Sequence, residues 1–194
     1  MTTSALNALA ARLESVEALD GPGRTAGRAV RGLIPDGAPK DALSGAWLGH
    51  ALHPMLTDIP IGTWTSSVLL DCMGGKGSRS ASDRLILTGV LAAGATVATG
   101  WSDWADAEQR DAAVRRCGLV HAAVNATATA LMIGSYVARK RGARGRGKLL
   151  SLAGSAALGA GGWLGGHLSY TLGAGVTAGA PATGTQATAA ADFA

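Results

Sequence analysis

Four histidines have the clearest capacity for chemistry in this chain, and their placement is ordered. His50 and His53 lie in the stretch from Trp47 to Gly62, which also holds Asp58 and two prolines. That stretch marks the change from a polar N-terminal third to the first of four apolar segments. His121 lies near the start of the third segment and His167 at the end of the fourth. If the segments run up and down, all four histidines fall in one band on the same side. The band also holds Asp58, Trp101 and Asp103 at the end of the second segment, and Asn125 one turn beyond His121 on the same helix face.

Imidazole binds haem iron and transition metals, and facing helices in a bundle can offer ligands from opposite sides. One reading is therefore haem b held by a pair among His50, His53, His121 and His167. A second is a transition metal held by His53, His121 and His167 with Asp58. A proton or cation path through Asp58 and the histidines is a third, opposed by the scarcity of other charge in the apolar segments. The remaining reading needs no cofactor: the histidines hydrogen-bond to Asp58, to each other or to carbonyls, in a structural or assembly subunit of a membrane complex. Asp58 stands out in all of them, because an intramembrane carboxylate is costly and is usually paired or functional. Asp103, Asn125 and Trp101 are the supporting residues.

The elements that must position these groups follow from composition and periodicity. Charged residues make up 15% of the 194, against about 25% in ordinary soluble domains. Mean hydropathy is only +0.22, since a polar first third and a Gly/Ala/Thr tail dilute the apolar segments. The expected fold is all-α: a four-helix transmembrane bundle preceded by short amphipathic helices. Residues 1–53 form an interfacial N-terminal region, 54–172 the four-span domain, and 173–194 a flexible tail. In the first region Leu6, Leu9, Leu13, Val16 and Leu19 recur at helical spacing, and Asp20-Gly21-Pro22-Gly23 is expected to stop that helix. The spans are expected at about Met55–Met73, Leu85–Trp101, Cys117–Val137 and Leu149–Leu168. Residues 74–84 and 102–116 are read as connecting loops. Pro54 either opens the first span, or Asp58 caps it with Pro60 in the first turn.

Basic residues set the orientation. Arg139, Lys140, Arg141, Arg144, Arg146 and Lys148 crowd one connection, and Lys76, Arg79 and Arg84 another. By the positive-inside rule, loops 74–84 and 138–148 face the cytoplasm and both termini lie outside the inner (plasma) membrane. The aromatic residues Trp47, Trp101, Trp104, Trp163 and Tyr170 then fall toward the outer interface. No cleavable signal peptide is visible, so the first span is expected to act as its own insertion signal. A nucleic-acid partner is not expected, because the basic run sits between two apolar segments. Two cysteines, Cys72 and Cys117, are too few for a disulfide framework or a thiolate metal site and should not pair. Gly74-Gly75-Lys76-Gly77-Ser78 lacks P-loop spacing, and no serine, histidine and acid suggest a nucleophilic triad.

Several blocks resemble the bacterial membrane family catalogued as domain of unknown function 2231. They are Gly49-His50-Ala51-Leu52-His53-Pro54 with Asp58-Ile59-Pro60-Ile61-Gly62-Thr63-Trp64, and Gly100-Trp101-Ser102-Asp103-Trp104. Arg115-Arg116-Cys117-Gly118-Leu119-Val120-His121 with Asn125, and Gly165-Gly166-His167-Leu168-Ser169-Tyr170, complete the set. The resemblance covers roughly residues 5 to 176 and implies a four-span bacterial membrane protein. Members are often fused or adjacent to a Rieske-type iron–sulfur domain, which implies a redox setting. This chain lacks cluster ligands of its own, with no cysteine after Cys117 and no histidine after His167. Electron transfer would therefore need a bound haem or a separate redox partner.

Overall fold

A computed structural model describes residues 5–175, and every regular element among them is helical. Three short helices come first: α1 (Ala5–Glu14), α2 (Asp20–Leu33) and α3 (Ala38–Ser44). Four long ones follow: α4 (His53–Met73), α5 (Arg79–Arg110), α6 (Ala112–Lys140) and α7 (Arg144–Gly166). A π-helical turn, His167–Thr171, continues α7. Most of the expected tail lies outside the described residues.

Several expected boundaries move: α5 already begins at Arg79, and α6 runs to Lys140 and α7 starts at Arg144, so the loops expected at 74–84 and 138–148 are partly helical. Asp20-Gly21-Pro22-Gly23 opens α2 instead of forming a loop, because a proline in the first helical turn sacrifices no hydrogen bond. The expected loop at 102–116 is almost entirely helical, since α5 runs on to Arg110. Asp111 alone is extended there, and its carboxylate accepts from the N–H groups of Ala113, at 2.7 Å, and Val114, at 3.4 Å. That cap starts α6 at once.

In α4 it is Pro54 that opens the helix, and Pro60 lies inside it. A proline has no N–H, so the carbonyl of Leu56 loses its helical donor. The Thr96 hydroxyl on α5 supplies the replacement, donating to that oxygen at 3.1 Å. A defect in one helix is thus repaired by its neighbour.

The long helices pack in sequence, α4 on α5, α5 on α6 and α6 on α7, and α7 returns to α4. Their interior mixes small polar side chains with a few large apolar ones: Ser67, Ser82, Ser135 and Ser151 are fully buried, as are Trp64, Ile86 and Met132. Large apolar side chains face out, with Leu91 70% and Leu149 69% exposed. Residues 76–110 and 112–140 are long and apolar enough to cross a membrane. Only 33% and 22% of their most apolar windows are buried inside the protein, whereas the core helix of a soluble protein would be mostly covered. Helices α4 and α7 have the length but not the composition, being diluted by Thr and Ser in α4 and by Gly and the basic start of α7.

Ion pairs hold both ends. The three short helices cap α5 and α6, where Arg31 meets Glu108 at 2.9 Å and Asp20 receives Arg116 at 2.7 Å and Arg115 at 3.2 Å. Gly23 and Gly27 permit this, because a Cβ on either would strike Arg115 or Glu108. At the opposite end Arg139, wholly buried, pairs with Asp71 and Asp83 and contacts Ser82, Ser135 and Ser151. Arg144 also reaches Asp71 at 3.1 Å and Asp83 at 3.0 Å.

Two outcomes follow. Arg139→Met should cost roughly 3 kcal/mol by thermal unfolding in detergent, toward the low end for a broken buried pair because Arg144 still serves both carboxylates. The hydrogen bond from Arg116, with help from Arg115, holds the Asp20 carboxyl well below its ordinary value of 3.8. A depressed folded-state pKa stabilises at higher pH, and that stabilisation is lost as pH falls below the unfolded value and through the folded one. Beyond the intrinsic pH trend, hydrogen exchange in α2 should therefore accelerate as pH falls below 3.8 in the native chain, and already be fast at neutral pH in Asp20→Asn. Identical exchange in both would show that this pairing does not hold the cap.

Candidate histidine site between two helix hairpins

His53, the first residue of α4, points at α5. Its Nδ1 lies 2.9 Å from the carbonyl oxygen of Thr96 and 3.3 Å from the Thr99 hydroxyl. A carbonyl only accepts, so Nδ1 carries the proton and a neutral ring keeps its lone pair on Nε2. The ring can come this close because Gly100 has no side chain: a Cβ there would sit 2.6 Å from the imidazole Cε1.

His121, on α6, repeats the arrangement against α7. Its Nδ1 lies 3.0 Å from the carbonyl oxygen of Gly161, and a Cβ on Gly165 would meet its Cε1 at 3.0 Å. Gly161 stands to Gly165 as Thr96 stands to Gly100, one helical turn apart. Asn125 donates to the His121 carbonyl at 3.0 Å and lays its amide against both ring nitrogens, at 3.2 and 3.3 Å.

This correspondence extends along both hairpins. His53 and His121, Trp64 and Met132, Ser67 and Ser135, and Asp71 and Arg139 stand at one constant offset. Arg79 and Arg144, Gly89 and Gly154, Gly94 and Gly159, and Gly100 and Gly165 stand at another. Roles match as well as letters. Gly89 makes room for Trp64, and Gly154 for Met132. Ser67 meets Ser82 across the first hairpin at 3.0 Å, and Ser135 donates to Gly147 across the second at 2.7 Å. Helices α4–α5 and α6–α7 are thus two versions of one hairpin, with a histidine at the same place in each. Two constant offsets in the sequence carry this signal, which hydrophobic periodicity alone does not register.

The other candidates separate from this pair. His50 is exposed in the turn before α4, with its Nδ1 3.2 Å from the Ala51 carbonyl oxygen. Asp58 lies on the exposed face of α4 and makes no hydrogen bond or ion pair with the described residues. It caps nothing, because the helix begins five residues earlier at His53. Trp101 packs edge-on against Trp104 at 5.1 Å, and Trp104 donates to the Val114 carbonyl at 3.2 Å. Asp103 is half-buried on α5.

His167 joins a different cluster. Its Nε2 lies 2.7 Å from Glu14 Oε1, its ring stacks on Trp163, and buried Cys117 completes a group whose ligand atoms lie within 4.8 Å of one another. Glu14 and Cys117 escaped the reading of the sequence because they lie on α1 and α6, far from His167 along the chain. Both cysteines are free. This cluster joins α1 to the ends of α6 and α7, and the His167–Glu14 pair accounts for its geometry.

The glycine contacts are directly testable. Gly100→Leu should cost about 2 kcal/mol by forcing the hairpin open around His53. Gly94→Leu, on the same helix with nothing within 4 Å of its Cβ position, should be neutral or slightly stabilising. Equal losses in thermal stability would show that helix propensity and not ring contact governs these positions.

The family model described as predicted membrane protein (DUF2231) matches residues 49–178, well over half of the chain. That range takes in both hairpins and their histidines and leaves out α1, α2 and α3. No curated protein and no solved structure matches the chain. With two long apolar helices that turn most of their surface outward inside the matched range, the chain belongs to this family of predicted membrane proteins.

Proposed function

We propose that the chain is a multi-pass protein of the bacterial inner membrane in which α4 to α7 form a four-helix transmembrane bundle and His53 and His121 hold a redox cofactor. The observation that carries this reading is the matched pair: two imidazoles at equivalent places in two hairpins, each fixed through Nδ1 to a helix carbonyl. Anchoring one ring nitrogen is how proteins orient a histidine whose other nitrogen is to serve as a ligand. The donor set favours haem b over a bare ion. Two imidazoles would be enough to hold a haem iron, whereas a transition-metal ion would need further donors. Asp58 is exposed on α4, and among the described residues the side chains that hydrogen-bond to the rings are those of Asn125 and Thr99.

Bound haem would supply one-electron chemistry. The chain's own residues set ring orientation: Thr96 and Gly161 fix the tautomers, Gly100 and Gly165 fix the ring planes, and Asn125 restrains His121. With loops 74–84 and 138–148 in the cytoplasm, the pair lies toward the outer leaflet. Residues 1–53 then cap the outer side of the 54–172 domain. Electrons would pass to a separate partner, such as a Rieske-type protein. A second reading, a cofactor-free assembly subunit, is favoured by the cross-link that each histidine makes through Nδ1 within its own hairpin.

A reduced-minus-oxidised visible spectrum of protein purified in detergent from haem-sufficient cells separates the two. Soret and α bands are expected, lost in His53→Ala and His121→Ala and kept in His50→Ala. A colourless protein free of stoichiometric metal would leave the structural subunit as the function.

A further inference from the structure

At the end of the long helices remote from the histidines, the turn after α4 and the start of α7 enclose a pocket of about 260 Å³. Lys76, Arg79, Arg144 and Lys148 line it, together with Asp71. The charges there do not balance. Asp71 and Asp83 are shared between Arg139 and Arg144, and Lys148 is turned to the Asp71 carbonyl. The side chains of Lys76 and Arg79 make no hydrogen bond or ion pair with the described residues, and Arg144 keeps a buried Nε without a partner. The hairpin repeat is broken at this point, because the place of Asp83 in the first copy is taken by Lys148 in the second. Replacing an acid by a base concentrates positive charge on the α7 side.

Guanidinium and ammonium groups converging on a small space fit an anion with several oxygens, such as phosphate. What flanks the pocket identifies the source. On α4, Leu69 and Met73 are 54% and 84% exposed, and on α7, Leu149 and Leu152 are 69% and 48% exposed. They lie on the two helices that form the pocket, within a turn or two of its lining residues. A free phosphate gains nothing from such surface, whereas acyl chains do.

We propose that this pocket binds the phosphate of an anionic phospholipid headgroup, with the acyl chains lying along the exposed leucines of α4 and α7. The site needs only that this end of the protein meet a membrane surface. It is independent of any cofactor on the histidines. Lys76 and Arg79 supply the charge that no carboxylate of the protein neutralises.

The test uses the full chain in detergent micelles, with thermal stability and retained lipid by native mass spectrometry as readouts. Phosphatidylglycerol should raise the melting temperature and remain bound, and phosphatidylcholine should do neither. Lys76→Gln/Arg79→Gln removes two cations that make no internal contacts, so folding should survive. Retention of phosphatidylglycerol should weaken on the order of tenfold or more, at about 1 kcal/mol per basic residue. Inorganic phosphate at equal concentration should leave the native protein unchanged. Retention unaffected by the double substitution, or equal for the two lipids, would overturn the site. Stabilisation by inorganic phosphate as large as that by phosphatidylglycerol would overturn its assignment to lipid.

Discussion

A polar group buried between helices has no water to turn to, so it depends on a partner elsewhere in the protein. The four long helices are arranged around that constraint. Pro60 leaves the Leu56 carbonyl without a donor and Thr96 supplies one. The same Thr96 offers its own carbonyl to His53. Serines pair across each hairpin, and the one fully buried arginine among the network residues, Arg139, is surrounded by carboxylates and hydroxyls. Each contact satisfies a group and at the same time fixes the spacing of two helices.

Glycine makes these contacts possible. Helices in an apolar medium gain little from burying leucine against leucine, since the surroundings are equally apolar, and associate instead through close packing and hydrogen bonds. Gly100 and Gly165 let an imidazole reach a backbone carbonyl, while Gly89 and Gly154 admit Trp64 and Met132. Leucines that would fill the core of a soluble protein are left on the outside, as Leu91 and Leu149 are. The interior is correspondingly rich in small residues.

The two ends of the molecule use charge in different ways. Toward the histidine end, Asp20, Glu108, Arg31, Arg115 and Arg116 tie three short helices onto α5 and α6, and the pairing is nearly self-contained. At the other end cations outnumber carboxylates, which leaves a surface suited to an anionic partner. Between them run the two copies of the repeated hairpin. Asp71 in one copy corresponds to Arg139 in the other, so the repeat closes on itself by a salt bridge between equivalent positions.

Much of this was legible in the amino-acid sequence. Hydrophobic periodicity located the amphipathic start of the chain, and runs of apolar and small residues located all four long helices. Histidine positions near segment ends singled out His50, His53, His121 and His167 as candidates. Other features were decided only by the tertiary structure. Asp58 draws attention as an acid within an apolar segment, yet its place on the exposed face of α4 separates it from both imidazoles. Asp20-Gly21-Pro22-Gly23 carries every local sign of a turn, yet opens a helix whose glycines fit against Arg115 and Glu108. The sequence by itself determined that the chain is helical and where its four long helices run, but not where they end. The meeting of His53 with Thr96, of His121 with Gly161 and of His167 with Glu14 required the tertiary structure, because each joins residues far apart in the chain through the rotation of one helix against another.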